Sequence, residues 1–326
     1  MSRLEEQLAE IAATEDPIVR DQMIALAVKR QDRRQRLRDG VRKTLVFVFF
    51  VIGLGLLYTG YKAMGQSTGD RWPIIGGELP VKTNDLIMPP LWDIVTSFGK
   101  PLQAGGQTLA GLIWTSGMFT LREATAGFVA GVVIGLSIAI LLLRSRLLER
   151  GLLPYVIASQ TIPFVAIAPI VIIWGRKNLD FLPWDWQDWQ SVSLIATYLT
   201  FFPVAVSGLR GLKSPEPEAL ELMDSYAASW GQTLWRLRFP ASLPYLFPAL
   251  RLAATASVVG AIVGEISAGV RGGLGRLILD FAGKYTTGPE RLYASIIGAA
   301  VLGLFVVGVI GQTERFVLSR RGQEAV

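Results

Sequence analysis

Six apolar runs organise this 326-residue chain, at about 44–61, 121–143, 152–174, 191–209, 244–267 and 292–314, and each is long enough for a hydrocarbon layer of about 30 Å. In such a layer every backbone N–H and C=O has to be satisfied within its own segment or in a closed barrel. Runs of this length therefore predict an all-α, polytopic membrane protein with six transmembrane helices. A composition of 51% hydrophobic and only 18% charged residues agrees, being too apolar for one large soluble core. The first run comes after a stretch of positive charge and lies too far from the N-terminus for a cleaved signal peptide, so it is expected to remain as an anchor.

Lys and Arg set the expected orientation. With the N-terminus inside, the inner segments carry Arg3 to Lys43, Arg144 to Arg150, Arg210 to Arg251 and Arg315 to Arg321, which hold 21 of the 32 basic residues. That bias is the one the positive-inside rule demands. The expected layout is a basic cytoplasmic extension at 1–43, a first transmembrane helix at 44–61 and an extracytoplasmic segment at 62–110. A core with five transmembrane helices occupies 111–318, interrupted by a cytoplasmic loop at 213–243, and 319–326 is a cytoplasmic tail. The net charge of +6 is read as topology and gives no reason to invoke nucleic acid.

Cys and His are both absent. Disulfides, thiol chemistry, imidazole bases and the commonest zinc ligands are excluded with them. No G-x-x-x-x-G-K-[ST] phosphate loop occurs, so the chain is not expected to bind ATP itself and is read as no enzyme. Any energy must come from a partner.

The loop after the fourth run carries the most specific signal. Pro215 and Pro217 end the preceding span, and Glu218 and Glu221 then fall in the first turns of a new helix, where its dipole favours anions. Trp230, Leu234 and Leu237 recur at helical spacing while Arg236 and Arg238 face elsewhere, so the segment has an apolar edge with charge at its rim. Such an edge suits a partner protein or a lipid surface.

Within the runs, Gly127, Gly131 and Gly135 give the second span a face for close helix packing. Pro154, Pro163 and Pro169 break the third, and broken helices at membrane depth belong where protein buries them or a cavity adjoins them. Gln160, Pro163 and Pro169 are therefore pathway candidates, although the amide of Gln160 serves equally to bond a freed carbonyl. Glu265 is an ionisable group near the outer end of a span and so a functional candidate, with pairing to Arg122 as the structural alternative. The three Trp residues of 175–190 suit an interfacial belt. Residues 1–43 pair a helical stripe at Leu4, Leu8 and Ile11 with a basic run suited to anionic lipid.

The stretch ELMDSYAASWGQTLWRLRFP from Glu221 to Pro240 resembles the EAA loop of ABC importer permeases, through Glu221, Ala227-Ala228, Leu237, Phe239 and Pro240. Ala227 stands where that family usually has Gly, and Phe239 where it has Leu. From about residue 86 onward the chain resembles the permeases of nitrate, sulfonate, taurine and thiamine-precursor importers. The likeness runs through LIMPPLWDIVTSF, LREATAGFVAGVVIGL with Arg122, SQTIPFVAIAPIVIIWG, LRLAATASVVGAIVGEIS and GGLG at 272–275.

The resemblance implies a type I ABC importer permease fold in the inner membrane, with a second copy of the permease, two cytoplasmic ATPase subunits that hold ATP and Mg, and an extracytoplasmic solute-binding protein. It implies ATPase docking through Glu218, Glu221, Ala227, Ala228, Ser229, Trp230, Gly231, Leu237 and Pro240, and a pathway near Gln160, Pro163, Pro169, Glu265 and Arg122. No cofactor or metal is implied in this chain. An ion-coupled carrier and a non-transporting membrane scaffold are the rival classes; a carrier would normally contain a deep acidic site and an inverted repeat, and a scaffold leaves the loop unexplained.

Overall fold

The computed structural model describes residues 17–72, 76–103, 105–179, 183 and 185–321. It comprises two units, one reaching Leu91 and one starting at Trp92. The Leu4, Leu8 and Ile11 stripe, Trp184 and residues 322–326 of the tail lie outside the described residues.

In the first unit, α1 (Pro17–Thr68) is one helix that passes through both the basic run and the first apolar run. Lys, Arg and Gln are good helix formers, so nothing in the charged half interrupts the ladder, and no break marks the expected boundary at 43/44. The part apolar enough to cross a membrane is Leu45–Thr68, longer at its outer end than the expected 44–61. Gly69 and Asp70, with φ of 64° and 62°, turn the chain out of α1. The Asp70 carboxylate accepts from the Thr83 hydroxyl at 2.7 Å and the Thr83 N–H at 2.9 Å, which holds its pKa below the ordinary carboxylate range. The returning segment is fastened to α1 by Lys62, whose Nζ donates to the Met88 carbonyl at 2.6 Å and pairs with Asp85 at 2.7 Å.

The second unit is helical throughout, with α2 (Leu91–Ser97), α3 (Leu109–Arg144), α4 (Arg146–Ser159), α5 (Phe164–Asn178) and α6 (Asp188–Leu212). After these come α7 (Pro217–Ser225), α8 (Trp230–Thr233), α9 (Phe239–Ala268), α10 (Leu274–Ala282) and α11 (Pro289–Arg321). Among the described residues of the whole chain, five helices are long and apolar enough to cross a membrane. The pair α4 and α5, bent by 94° at its break, makes a sixth if it is one span.

The centre of this unit is α6, packed between α3 and α9. Small residues make that possible. A Cβ on Gly127 would sit 2.4 Å from the Ala196 Cβ, on Gly131 2.5 Å from the Thr200 Cβ, and on Gly135 2.6 Å from the Phe201 carbonyl. On the other side of α6, Gly260 and Gly264 approach Ala196 and Val192 in the same manner. Helices in lipid gain little from apolar burial against one another, so backbone proximity of this kind holds the bundle.

Proline acts unevenly. Pro163 stands at the N-cap of α5, at the expected break, whereas Pro154 and Pro169 lie inside α4 and α5 without ending them. The fifth span likewise continues past its expected start: Pro244 and Pro248 lie inside α9, and the helical path from Trp230 to Ala268 is continuous. Its only irregularity is a π-helical stretch, Leu234–Arg238, directly before Pro240. The wider i→i+5 turn fits there because Pro240 has no N–H for an α-helical bond.

The Trp-rich segment departs from an interfacial belt. Trp186 donates its indole N–H to the Ser191 hydroxyl at 2.7 Å and packs on Gly175, while Trp189 lies beneath Arg122. Both rings are half-buried in protein.

Candidate functional site

The 213–243 loop is a compact helical hairpin whose every bend has a sequence cause. Pro217 takes the N1 position of α7, where its missing N–H leaves no bond unmade, and Glu218 comes next in the first turn. α7 closes with Ala227 at φ 50°, and two bonds seal that end: Ala227 N–H to Asp224 O at 2.9 Å and Ala228 N–H to Met223 O at 3.0 Å. This is a Schellman cap, which favours Gly at its left-handed position. Ala227 makes the sharp turn in place of the family's Gly.

The next helix starts at once. Ser229 Oγ accepts from the Gln232 N–H at 3.3 Å and Gln232 Oε1 accepts from the Ser229 N–H at 2.7 Å, a reciprocal capping box. With Ala228 alone between the left-handed residue and this cap, the hairpin has almost no slack. Glu218, Glu221, Leu222, Tyr226 and Trp230 are all exposed on it, Tyr226 at 78% of its surface.

The base of the hairpin is tied to the bundle. Leu234 is buried in a cluster with Ala139, Leu142, Leu209 and Leu212. Arg238 donates from Nη1 to the Leu212 carbonyl at 3.0 Å, and Arg144 at the end of α3 lies 5.3 Å from the Trp230 ring centroid. Lys213 pairs with Glu149 of α4. The expected apolar edge is therefore divided: Trp230 faces outward, Leu237 and Gly231 are half-buried, Leu234 belongs to the core, and Trp235, not anticipated, is exposed. Arg238 is likewise a tether and not a free rim charge.

The pathway candidates fall in three places. Gln160 caps α4 at the 94° break and is exposed, with Pro163 beside it and Pro169 one turn into α5. Arg122 lies near the opposite end of α3 from Arg144, 22 residues or roughly 33 Å away along the helix. Its guanidinium carbon is 3.8 Å from the Trp189 ring centroid.

Glu265 is fully buried on α9 and is not an ion-pair partner of Arg122. Its carboxyl accepts from the Thr120 hydroxyl at 2.7 Å and from the Gly275 N–H, and Thr120 in turn accepts from the Leu274 N–H at 2.9 Å. A Cβ on Gly273 would lie 2.0 Å from Glu265 Oε1, so the GGLG turn owes its glycines to this side chain. Glu123, equally buried, lies against Glu265. Its polar hydrogen-bonding partner could not be read from spacing, because α3 and α9 are remote in sequence.

A bundle of membrane-length helices with one broken span and a stiff helical hairpin at one end is the architecture of a polytopic permease. Residues 131–317 match the binding-protein-dependent transport system inner membrane component family, and the chain belongs to that family. It is 31% identical over 209 residues to the formylaminopyrimidine transport permease protein ThiX of Halalkalibacterium halodurans, covering 63% of this chain and 77% of that one. It is 32% identical to the riboflavin transport system permease protein RibX of Chloroflexus aurantiacus, over 76% and 91% of the two chains. The bicarbonate transport system permease protein CmpB of Synechococcus elongatus is 26% identical over 64% and 67%. In fold, the chain resembles one from the inward-facing MetNI methionine ABC transporter, with a TM-score of 0.55 at 18% identity over 63% of this chain and 96% of that one. The fold is the all-α, type I ABC importer permease fold, and the chain is a multi-pass membrane permease subunit of an importer for a small solute.

Proposed function

We propose that two copies of this chain form the translocation pathway of the importer, with both termini cytoplasmic and the 217–233 hairpin docked on a partner ATPase that holds ATP and Mg. The observation that carries this reading is the hairpin itself. It presents two carboxylates and three large apolar side chains to solvent, yet its base is fixed by Leu234, Arg238 and the Arg144–Trp230 stack. A push on such a hairpin passes into α3, α6 and α9 together, which is what a rigid-body switch between inward- and outward-facing states requires. Glu218 and Glu221 are assigned to cationic groups of the ATPase, with Ala227, Ala228, Ser229, Trp230, Gly231, Leu237 and Pro240 shaping the contact.

Gln160, Pro163 and Pro169 are assigned to the pathway at the break between α4 and α5, and an extracytoplasmic binding protein delivers the solute. The exposed apolar faces of α4 and α5, including Leu147, Tyr155 and Ile170, support a second copy beside them. The solute belongs to the range of nitrate, bicarbonate, sulfonate or taurine, or a thiamine-precursor heterocycle; the named relatives include carriers of a pyrimidine, a flavin and bicarbonate.

The test is Glu221→Lys. In reconstituted vesicles the variant is expected to insert normally while uptake falls by roughly tenfold or more, the scale of one charge-assisted contact reversed. ATP hydrolysis is expected to continue without transport. Uptake at the native rate overturns the docking assignment.

A further inference from the structure

At the end of the bundle away from the hairpin, a cavity of about 500 Å³ opens between α3, α5, the start of α6 and the turn after α9. Three guanidinium groups line it from three separate elements: Arg122 on α3, Arg176 on α5 and Arg271 on the turn between Gly269 and Gly272, both at positive φ. One carboxylate, Asp188, lines it as well, and Arg176 takes it with both Nε, at 2.6 Å, and Nη2. Arg122 lies flat over Trp189, which occupies the face of the guanidinium and leaves its in-plane donors for another group. Arg271 is exposed and has no ion pair among the described residues. The buried Glu123 and Glu265 do not line the cavity.

Topology offers no reason for this cluster. In the proposed orientation the three arginines are extracytoplasmic, on the side where a chain of this kind is poor in basic residues. A concave site with two guanidinium groups in excess of its carboxylate, one on an aromatic platform, concentrates anions and fits the oxygen edge of an oxyanion.

We propose that this cavity is an oxyanion site at the outer mouth of the pathway, which receives the carboxylate, sulfonate or phosphate group of the transported solute. The inference rests on the permease reading and narrows it to anionic solutes. A lipid headgroup phosphate has the same chemistry, so the test has to separate the two sources.

The complete transporter, with its ATPases, is placed in nanodiscs of phosphatidylcholine alone and titrated with methanesulfonate, with dimethyl sulfone as the uncharged counterpart. Tryptophan fluorescence is read as the difference from Trp189→Phe. Methanesulfonate is expected to give a saturable change and dimethyl sulfone none, with half-saturation about tenfold higher in Arg271→Gln and in Arg122→Gln, as for loss of one charge-assisted hydrogen bond. Equal responses to both probes, or native half-saturation in Arg271→Gln, overturn the proposal. Loss of the methanesulfonate response in discs containing phosphatidylglycerol assigns the site to lipid and overturns the solute role. Native methanesulfonate binding by an Arg271→Gln variant that no longer captures the external binding protein makes the cluster a protein contact and also overturns it. Failure of the native chain to retain an ATPase is read separately, by co-elution, and sinks the importer reading whatever the titration gives.

Discussion

Ala227 is the residue on which the proposed docking hairpin turns, and it does so in a conformation that a Cβ disfavours by roughly 1–2 kcal/mol. Ala227→Gly relieves that strain and adds backbone freedom to the unfolded chain, two effects of similar size and opposite sign. Its apparent Tm in detergent is expected to stay within a few degrees of native, with ATPase retention unchanged, whereas Ala227→Val, β-branched at positive φ, is expected to lose about 1–3 kcal/mol and release the ATPase. A native melting curve for the valine variant would mean that the turn is soft. The GGLG turn gives the second residue-scale expectation. Glu265 fills the space where a Cβ at Gly273 would go, 2.0 Å from Oε1, so Gly273→Ala has to displace a buried, hydrogen-bonded carboxyl. Glu265→Gln keeps the shape and an acceptor for Thr120. Gly273→Ala is therefore expected to lower the apparent Tm more than Glu265→Gln, and the reverse order would show that the charge of Glu265 matters more than its fit.

At the scale of elements, the seam between α3 and α6 holds the bundle, and Gly131 lies within it. Gly131→Leu forces the helices apart and is expected to cost at least the roughly 1–3 kcal/mol of an overpacked core, read as aggregation on size exclusion. Gly303→Leu on α11, where nothing lies within 4 Å of a Cβ, is expected to elute as native. This seam was legible in the sequence, because three glycines at four-residue spacing declare a helix face. So was the broken third span at Pro163. Helix ends were less legible: Pro154, Pro169, Pro244 and Pro248 remain inside their helices, since neighbouring helices re-satisfy freed backbone groups in lipid. The face of the hairpin was obscured for another reason. The π-helical stretch at Leu234–Arg238 widens the turn and shifts the helical phase, so a 3.6-residue period puts Leu234 outward and passes over Trp235. The arginine cluster was invisible because residues 122, 176 and 271 meet only when α3, α5 and the turn after α9 are brought together.

At the scale of the molecule, the two ends of the second unit differ in kind. One carries the hairpin, Arg144 and the Lys213–Glu149 pair; the other carries Arg122, the Asp188–Arg176 pair and the Gly269–Gly273 turn. The span of roughly 33 Å from Arg122 to Arg144 matches a hydrocarbon layer of about 30 Å, so these two ends belong on opposite sides of the membrane. Which side is which decides whether an ATPase reaches the hairpin at all. The chain contains no Cys, so single cysteines give labelling without background. Asp185 and Ser67 are exposed and belong to the side proposed as extracytoplasmic; Glu216 and Ser319 are exposed and belong to the other. In intact cells an impermeant maleimide is expected to label Asp185→Cys and Ser67→Cys, and to reach Glu216→Cys and Ser319→Cys only once the membrane is opened. Labelling of Glu216→Cys in intact cells would put the hairpin outside and remove the ATPase from the mechanism. Labelling of Ser67→Cys and Asp185→Cys from opposite sides would instead show that α1 enters the membrane in the reverse sense, leaving the hairpin assignment of the second unit intact.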